Sequence, residues 1–414
     1  MIQKAYKTKL VVNNREAGYL RGCAGLARFV YNWALAESKR VYEETGKTPS
    51  ARNVLKKQFN AIKGNEYPWV YDYPSVISES AFDDLDNAFK HFFRRVKAGE
   101  TPGYPRFKKR GVHDSFRLRG SIAVEDGRIK LPRIGRLRLA EHGYLPADAD
   151  VNTATISLSA GNWYISVQVE EPDAEPLPLT GDVLGVDLGV KVMAAVSDGT
   201  IYENPAIYRK HERRRQRLGR ELSRRKQGGA NWKKTKARLA KLDRKTADTR
   251  RHVQHDLSAD LTRNKRPAAI VLEDLNVKGM LAKAKPKQDA ATEQYIPNGR
   301  AAKRGLSKSL ADVGIGELRR QIVYKAGWLG IHIETADRWY ASSKTCSGCG
   351  AVKSDLTLGD RTYRCEACGL VIDRDVNAAK NLAALLEPVK HGGLPVELGG
   401  LPPTVKQEAG ASEW

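Results

Sequence analysis

The stretch Leu184-Gly185-Val186-Asp187-Leu188-Gly189 places one acid inside an otherwise apolar strand. The apolar pattern continues over residues 183–196 and predicts a buried hairpin of two strands. A further buried strand is predicted over residues 268–272, and Glu273 follows it directly. An unpaired carboxylate is costly to bury, so an acid in such a strand needs a partner or a bound cation. Asp187 and Glu273 are therefore candidate functional residues.

A third acid, Asp375, stands at the start of a helix predicted over residues 376–386. Each acid alone has a simpler interpretation: a strand acid satisfied by a partner, a carboxylate at a strand end, or a helix N-cap. In chain order, however, an acid in the first strand, an acid at a later strand end and an acid opening the last helix are typical of an RNase H-like fold. Such a fold brings its carboxylates to two divalent ions about 4 Å apart, which together hydrolyse a phosphodiester. Hard oxygen ligands select Mg²⁺ or Mn²⁺.

Four of the five cysteines form two pairs with two-residue gaps, Cys346 with Cys349 and Cys365 with Cys368. Four thiolates at this spacing, with a short hairpin between the pairs, predict a tetrahedral zinc site. A shell of four cysteines leaves no open position on the metal, so the zinc is expected to be structural. The fifth cysteine, Cys23, is predicted to be a buried, unreactive thiol.

The composition predicts a polyanionic partner. The chain has 414 residues, enough for two to four domains, with 71 Lys and Arg against 48 Asp and Glu and a formal net charge of +23. The sequence has no apolar span of membrane length and no basic amphipathic anchor, which favours nucleic acid over a membrane surface. The N-terminus has no apolar signal-peptide core, so we expect a cytoplasmic protein of a prokaryote.

Residues 206–251 contain 19 Lys and Arg and four acids, which contributes +15 to the net charge. Gly228-Gly229 divides this segment into a predicted helical hairpin. The acids are too few to pair with the bases along the helices, so we expect the bases to follow a phosphate backbone, although a solvated charged coiled coil is the alternative. A second basic stretch has an interleaved aromatic residue, as suits a bent or single strand, or it is a plain surface loop. The candidate nucleic-acid contacts are Arg106, Lys108, Lys109, Arg213, Arg214, Arg215, Arg224, Arg225, Lys233, Lys234 and Lys236.

The remaining patterns predict a chain of several mixed α and β parts. A strand over residues 5–12 precedes a mainly helical region to residue 103, and residues 115–171 alternate as in a small antiparallel barrel or sheet. Residues 172–179 are a Pro-rich linker, and residues 283–308 are a polar stretch without periodicity, which predicts a mobile loop. The last predicted elements before the cysteines are a helix over residues 310–327 and a strand over residues 331–334.

Several motifs together resemble those of the TnpB family, the transposon-encoded RNA-guided DNA endonucleases related to the type V CRISPR effectors. The resemblance covers nearly the whole chain. The motifs are Ala27-Arg28-Phe29-Val30-Tyr31-Asn32, Pro102-Gly103-Tyr104-Pro105-Arg106-Phe107-Lys108-Lys109, Gly185-Val186-Asp187-Leu188-Gly189, Glu273-Asp274-Leu275, Ser342-Ser343-Lys344-Thr345-Cys346-Ser347-Gly348-Cys349-Gly350 and Asp373-Arg374-Asp375-Val376-Asn377-Ala378-Ala379.

The resemblance implies a multi-domain α+β and α/β protein. Its parts would be a wedge-like β-barrel domain (1–12 and 104–178) interrupted by a helical recognition domain (13–103), then an RNase H-like RuvC nuclease domain (181–340 and 370–388) with an inserted zinc ribbon (341–369). A tail over residues 389–414 is expected to be disordered. The implied partners are a guide RNA from the transposon end and double-stranded target DNA, cut beside a short adjacent motif. The implied RuvC acids are Asp187, Glu273 and Asp375.

Three other functions share some of these features. An RNA-guided repressor that does not cut is disfavoured because all three acids are present. A cut-and-paste transposase is disfavoured because a zinc ribbon lies between the second and third acids. A zinc-ribbon RNA-binding protein without enzymatic activity would leave the buried acids without a purpose.

Overall fold

The computed structural model describes residues 2–146, 149–171, 180–289, 292–357 and 359–386. The chain divides into two compact units, one formed by Met1–Glu175 with Ile207–Thr249 and the other by Pro176–Ala206 with Arg250–Trp414. The predicted linker (172–179) and the predicted disordered tail (389–414) lie outside the described residues. None of the helices in the described ranges combines the length and the apolar character needed to cross a membrane.

The first unit contains one antiparallel sheet of seven strands. The strands are β1 (Ile2–Val11), β2 (Ser115–Arg119), β3 (Ala123–Glu125), β4 (Arg128–Leu131), β5 (Gly135–Leu139), β6 (Val151–Ser159) and β7 (Asn162–Glu171). Their order is β2-β6-β7-β1-β5-β4-β3, so β2 and β3 are edges and the described strands form no closed barrel. The antiparallel strands predicted over residues 115–171 are confirmed. The barrel is not found, because the pairs in this part of the chain do not join β2 to β3.

Three helices share the core of this unit with the sheet, and two further helices form a long hairpin. Their bounds are α1 (Asn14–Thr45), α2 (Lys56–Glu66), α3 (Ser75–Lys97), α4 (Ile207–Ser223) and α5 (Ala230–Ala259), with short helical turns at Ala51–Leu55 and Pro68–Asp72. The part of α5 from Arg250 and the short turn at Asp260–Asn264 belong to the second unit. A capping box between Asn13 and Glu16 starts α1, and Gly46 in the left-handed region ends it. The predicted hairpin of α4 and α5 is confirmed, and Gly228 (φ 82°) makes the turn.

The second unit is built on a mixed sheet of five strands. Its elements are β8 (Val183–Leu188), β9 (Val192–Val196), β10 (Ile201–Glu203), β11 (Ala269–Glu273), α6 (Val277–Leu281), β12 (Lys287–Gln288), β13 (Tyr295–Ile296), α7 (Arg300–Val313), α8 (Ile315–Trp328), β14 (His332–Ala336), β15 (Thr362–Arg364), β16 (Val371–Asp373) and α9 (Arg374–Ala383). The sheet order is β10-β9-β8-β11-β14. β8 and β9 pair antiparallel as predicted, whereas β11 is parallel to both β8 and β14.

Two predictions for the segment between β11 and β14 are wrong in part. The stretch over residues 283–308, predicted to be a mobile loop without periodicity, contains the hairpin of β12 and β13 and the first turns of α7. This part of α7 is exposed, so no apolar period marks it; the helix buries only Leu310 and Val313 at its end. The single helix expected over residues 310–327 is two helices, because Gly314 (φ 68°) takes a left-handed conformation between them.

Helix α9 lies directly against β8 because Gly185 has no side chain. A Cβ built on Gly185 would lie 1.8 Å from the carbonyl oxygen of Ala379 and 2.5 Å from the nitrogen of Ala383. Both neighbours are backbone atoms, which no rotamer change can move. Gly185 is therefore required for the close contact between this strand and this helix.

We expect Gly185→Ala to destabilise the second unit and to displace α9 from β8. Overpacking in a core commonly costs about 1 to 3 kcal/mol, and a contact of this kind with backbone belongs at the upper end or beyond. Chemical unfolding of the full chain, followed by circular dichroism, measures the change. Gly327→Ala is the matched control, because this exposed glycine in α8 has no atom within 4 Å of its built Cβ. Equal stability of the Gly185→Ala and Gly327→Ala variants would contradict the contact.

Candidate active site and metal centre

Asp187 lies near the end of β8, between two neighbouring strands. It pairs with Ala195 of β9, and the residue before it, Val186, pairs with Leu272 of β11. The Asp187 residue is half-buried. Burial raises the pKa of Asp187 to about 8, with further contributions from the negative charges of Glu273 and Asp375. The carboxyl of Asp187 is thus surrounded by protein and by other acids.

Glu273 is the last residue of β11 and pairs with Ala336 of β14. The parallel register in which Leu272 faces Val186 brings the next residue, Glu273, beside Asp187. The hydroxyl of Ser342 donates a hydrogen bond of 2.5 Å to Oε1 of Glu273. A strand end and a hydrogen bond from a neighbouring loop together hold this carboxylate in place.

Asp375 is in the first turn of α9, and its neighbour Asp373 is the helix cap. The side chain of Asp373 accepts hydrogen bonds from the backbone N–H groups of Asp375 (2.9 Å) and Val376 (3.1 Å). The simpler interpretation of Asp375 as the N-cap is therefore wrong, because Asp373 is the residue that caps the helix. The carboxylate of Asp375 is not used to cap the helix and contributes to the raised pKa of Asp187.

The structure thus places the three predicted acids on two adjacent strands and one helix, where the charges of Glu273 and Asp375 act on Asp187. Their carboxylate oxygens are less tightly gathered than the sulfur atoms of the cysteines described below. The positive charge of Arg374 opposes their effect and lowers the pKa of Asp187. A group of acids that raises the pKa of one member is an environment that a divalent cation would stabilise. Beside Glu273 lies a cavity of about 340 Å³, lined also by Asn276, Tyr340 and Ser342.

The four predicted cysteines meet in one cluster. Their Sγ atoms all lie within 4.8 Å of one another, and no other group of three or more possible metal ligands is as compact in the described part of the chain. Cys346 and Cys368 approach to 3.6 Å, as do Cys349 and Cys365. A zinc–sulfur bond of about 2.3 Å gives a tetrahedron with edges of about 3.8 Å, so the cluster could bind a metal such as zinc.

Each pair of cysteines sits in the same kind of turn. Gly350 and Gly369 follow the second cysteine of each pair and have φ values of 77° and 76°. Their N–H groups donate to the carbonyl oxygens of Cys346 (2.9 Å) and Cys365 (3.0 Å). The backbone N–H of Cys368 lowers the pKa of Cys365, whereas the pKa values of Cys349 and Cys368 are raised. The remaining cysteine, Cys23, is fully buried as predicted, and burial raises its pKa to about 12.

Three polar residues near the acids were missed by the sequence analysis: Ser342, Asn377 and Asn381. Asn377 and Asn381 are four residues apart on α9 and are both buried, with the amide of Asn377 donating to the carbonyl of Thr345 (2.7 Å) and that of Asn381 to the carbonyl of Ser342 (2.7 Å). The sequence feature that could have identified the two asparagines is their spacing, four residues apart on a helix face that is otherwise apolar. Ser342 had no signal beyond its place in a longer motif.

The residues predicted to contact nucleic acid differ in whether their side chains already interact with other groups of the protein. Lys108 is half-buried, with its amino group 4.2 Å from the ring centre of Tyr31 and 3.4 Å from Asp84. Arg215 pairs with Asp243 (2.8 Å), and Arg225 pairs with Glu221 (2.5 Å). The other predicted contacts are exposed: Arg106, Lys109, Arg213, Arg214, Arg224, Lys233, Lys234 and Lys236.

Three family profiles match this chain. A profile described as a helix-turn-helix domain matches residues 1–47, although in this structure those residues contain one strand and one long helix. The OrfB_IS605 profile, described as a probable transposase, matches residues 164–284. A profile described as a Cas12f1-like TNB domain matches residues 316–382, which contain all four clustered cysteines.

Relatives cover nearly the full length of the chain. A protein of Escherichia coli K12 named RNA-guided DNA endonuclease InsQ is 33% identical over 398 residues, covering 96% of this chain and 95% of the relative. A Streptomyces pristinaespiralis protein, also named an RNA-guided DNA endonuclease, is 31% identical. The match covers 92% of this chain and 89% of that relative. The cryo-EM structure of a Cas12f1–sgRNA–target DNA complex contains a chain with the same fold, at a TM-score of 0.55 and 14% identity, with coverage of 92% and 98%. The resemblance found in the motifs is confirmed, and the chain belongs to the TnpB family of transposon-encoded RNA-guided DNA endonucleases.

Proposed function

We propose that this protein is an RNA-guided DNA endonuclease that hydrolyses phosphodiester bonds at a RuvC-type site formed by Asp187, Glu273 and Asp375. The observation that carries the proposal is the placement of these acids on neighbouring elements, since β8 pairs with β11 and packs against α9 at Gly185. Burial and the neighbouring acids raise the pKa of Asp187 to about 8, which supports it. Full-length relatives named RNA-guided DNA endonucleases support the same activity.

The sheet of the second unit supports an RNase H-like assignment. Strand β8 carries Asp187 next to β11, which carries Glu273, while β9 and β10 continue the sheet antiparallel on the other side. Helix α9 packs on β8 and adds Asp375. In the domain layout that we propose, residues 181–340 and 370–388 form this nuclease domain, although residues 207–249 of that range belong to the first compact unit. Residues 341–369 form the zinc ribbon within it. Residues 1–12 and 104–178 form the wedge-like domain, and residues 13–103 the recognition domain.

The three carboxylates fit hard divalent cations, and we assign to them two ions of Mg²⁺ or Mn²⁺. When bound, such a pair of ions activates water on one side of the phosphorus and stabilises the leaving oxygen on the other. The protein's own residues hold the three carboxylates in position. Strand ends fix Asp187 and Glu273, the cap at Asp373 leaves Asp375 available, and Ser342 orients Glu273.

Four Sγ atoms that all lie within 4.8 Å of one another fit one structural Zn²⁺, which we assign to Cys346, Cys349, Cys365 and Cys368. A shell of four cysteines offers no position for substrate. The role of this zinc is to hold together the two turns and the hairpin of β15 and β16, because so small a module has little apolar core of its own.

We assign the polyanion expected from the charge of +23 to a guide RNA from the transposon end and to target DNA, cut beside a short adjacent motif. The exposed bases Arg213 and Arg214 on α4 and Lys233 and Lys234 on α5 are suited to phosphates. The segment is too poor in acids for the bases to neutralise one another. Arg215 and Arg225, which already pair with acids, are expected to contribute less.

The proposal predicts double-strand cuts in a plasmid that carries the target, when the protein is purified with its RNA and supplied with Mg²⁺. Asp187→Ala should reduce cutting to the level of a reaction without protein and leave RNA and DNA binding unchanged, since it removes a metal ligand and no phosphate contact. Binding without cutting by the wild-type protein would indicate a repressor. Joined DNA products would indicate a transposase, and RNA binding alone would indicate a protein without this enzymatic activity.

The matched controls are the two aspartates at the start of α9. Asp375→Asn should abolish cutting with the fold preserved, because an amide is a poor ligand for Mg²⁺ and the helix cap is untouched. Asp373→Asn should retain cutting, since asparagine caps a helix about as well as aspartate. Cutting by Asp375→Asn together with an inactive Asp373→Asn would move the third ligand to Asp373.

The zinc assignment predicts one equivalent of zinc per chain in metal analysis of the purified protein. Cys365→Ser should lose the zinc and lower the unfolding temperature, because metal binding free energy contributes to folding in such modules. Cys23→Ala is the matched control, a cysteine removed from a buried position that is not in the cluster, and it should keep the zinc. A wild-type protein purified without zinc would refute the assignment.

The raised pKa of Asp187 predicts a metal requirement that depends on pH. Below about pH 8 a cation must displace the proton of Asp187, and above it no proton is displaced. We expect the half-saturating Mg²⁺ concentration for cutting to fall by up to about tenfold per pH unit as the pH rises towards 8, and then to level off. Mg²⁺ titrations of plasmid cutting at several pH values measure this, with guide RNA binding in the same buffers as the control. One half-saturation value at every pH would contradict the prediction.

A further inference from the structure

Ser342 connects one of the candidate catalytic acids to helix α9. We infer that Ser342 is a positioning residue for Glu273, and that α9 holds Ser342 in place through the buried amide of Asn381. This inference rests on the proposed function, because it concerns how the same site binds divalent cations. Neither the family profiles nor the names of the relatives assign a role to these two residues.

The contact between Ser342 and Glu273 is short and partly buried. Ser342 is 4% exposed, and its hydroxyl donates to Oε1 of Glu273 at 2.5 Å. A serine hydroxyl has one proton, so this bond uses its only donor. The bond restricts the rotation of the carboxylate. Its second oxygen is left to act on a cation.

The backbone of Ser342 is held by α9. The side-chain amide of Asn381 donates to the carbonyl oxygens of Ser342 (2.7 Å) and Thr345 (2.6 Å), and Asn381 is 5% exposed. The amide of Asn377 donates to the same carbonyl of Thr345 (2.7 Å), and its oxygen accepts from the backbone N–H of Ser347 (2.9 Å). Two buried amides on one helix face therefore fix the loop that carries Ser342.

This arrangement makes α9 responsible for two of the three acids. The helix carries Asp375 in its first turn, and through Asn381 and Ser342 it also sets the orientation of Glu273. The loop it holds continues directly into Cys346, the first residue of the cysteine cluster. The position of Glu273 is thus linked to the same segment that closes the metal centre.

The expected consequence is a change in metal binding, because a carboxylate that loses its hydrogen-bond partner must be ordered when the cation binds. Partners of metal ligands commonly affect metal affinity by about 10- to 100-fold. Ser342→Ala should therefore raise the half-saturating Mg²⁺ concentration at least about tenfold and leave the rate at saturating Mg²⁺ within a few-fold. A residue that served only packing would reduce the amount of active protein without moving the half-saturation point.

Three variants make the test specific. Ser342→Thr keeps the hydroxyl and should restore the wild-type Mg²⁺ requirement, whereas Ser342→Cys keeps nearly the same volume with a weak donor and should behave like Ser342→Ala. The Cys variant covers the case in which Ser342→Ala does not fold. Ser354→Ala is the matched control, since Ser354 is exposed in the same cysteine module, the segment from Ser342 to Asp373 that carries the four cysteines.

Metal binding is also measured without cutting. Mn²⁺ bound to the protein–RNA complex is determined by electron paramagnetic resonance, with the Asp187→Ala complex giving the background from RNA. Weaker Mn²⁺ binding in Ser342→Ala, together with recovery in Ser342→Thr, supports the inference. Wild-type Mn²⁺ affinity and wild-type Mg²⁺ half-saturation in folded Ser342→Ala or Ser342→Cys would overturn it. Cutting by Asp187→Ala, or no cutting by the wild-type protein, would instead refute the proposed function.

Discussion

The candidate site depends on one close contact between backbone atoms, that of Gly185 in β8 with Ala379 in α9. Side chains two residues apart in a strand lie on the same face, so Gly185 and Asp187 both face the helix. Residues four apart in a helix also share a face, so Asp375 and Ala379 both face the strand. The contact and the pair of acids therefore belong to the same two surfaces. A larger residue at position 185 would move Asp375 away from Asp187.

Placing Asp187 in a buried position beside other acids makes its ionised form energetically unfavourable, and the proposed binding of cations accounts for this arrangement. Burial and the negative charges of Glu273, Asp375 and Asp373 favour the protonated form of Asp187, which raises its pKa to about 8. A chain selected for stability alone would have at position 187 an apolar residue, or a basic residue paired with the neighbouring acids. Arg374 is close enough to oppose the shift, but its guanidinium is held by carbonyl oxygens of Thr357 and Asp360 in the cysteine module. The charge of the acids is left for a ligand that carries positive charge of its own.

The sequence predicted the features that a local pattern can encode. Strands β8, β9 and β11 are apolar apart from Gly185, Asp187 and Glu273, and the four cysteines have a spacing that leaves few alternatives. The features that it did not predict depend on packing between distant segments. Helix α7 begins with exposed turns that have no apolar period, and Gly314 breaks a pattern that looks continuous in the sequence. The cap at Asp373 could not be distinguished from one at Asp375, because both acids stand before the same apolar helix face.

The cysteine module is built into the site at both of its ends. At its start, Ser342 contacts Glu273 four residues before Cys346. At its end, β16 pairs with β15 up to Asp373, which is also the cap that begins α9. The hairpin fixes the backbone of Asp373, the cap fixes the first turn of α9, and that turn carries Asp375. A module placed between the second and third acids in the chain can therefore set the positions of both, because each acid is within one or two contacts of its ends. This is a physical reason for its position in the sequence that does not require the module to touch the reacting atoms.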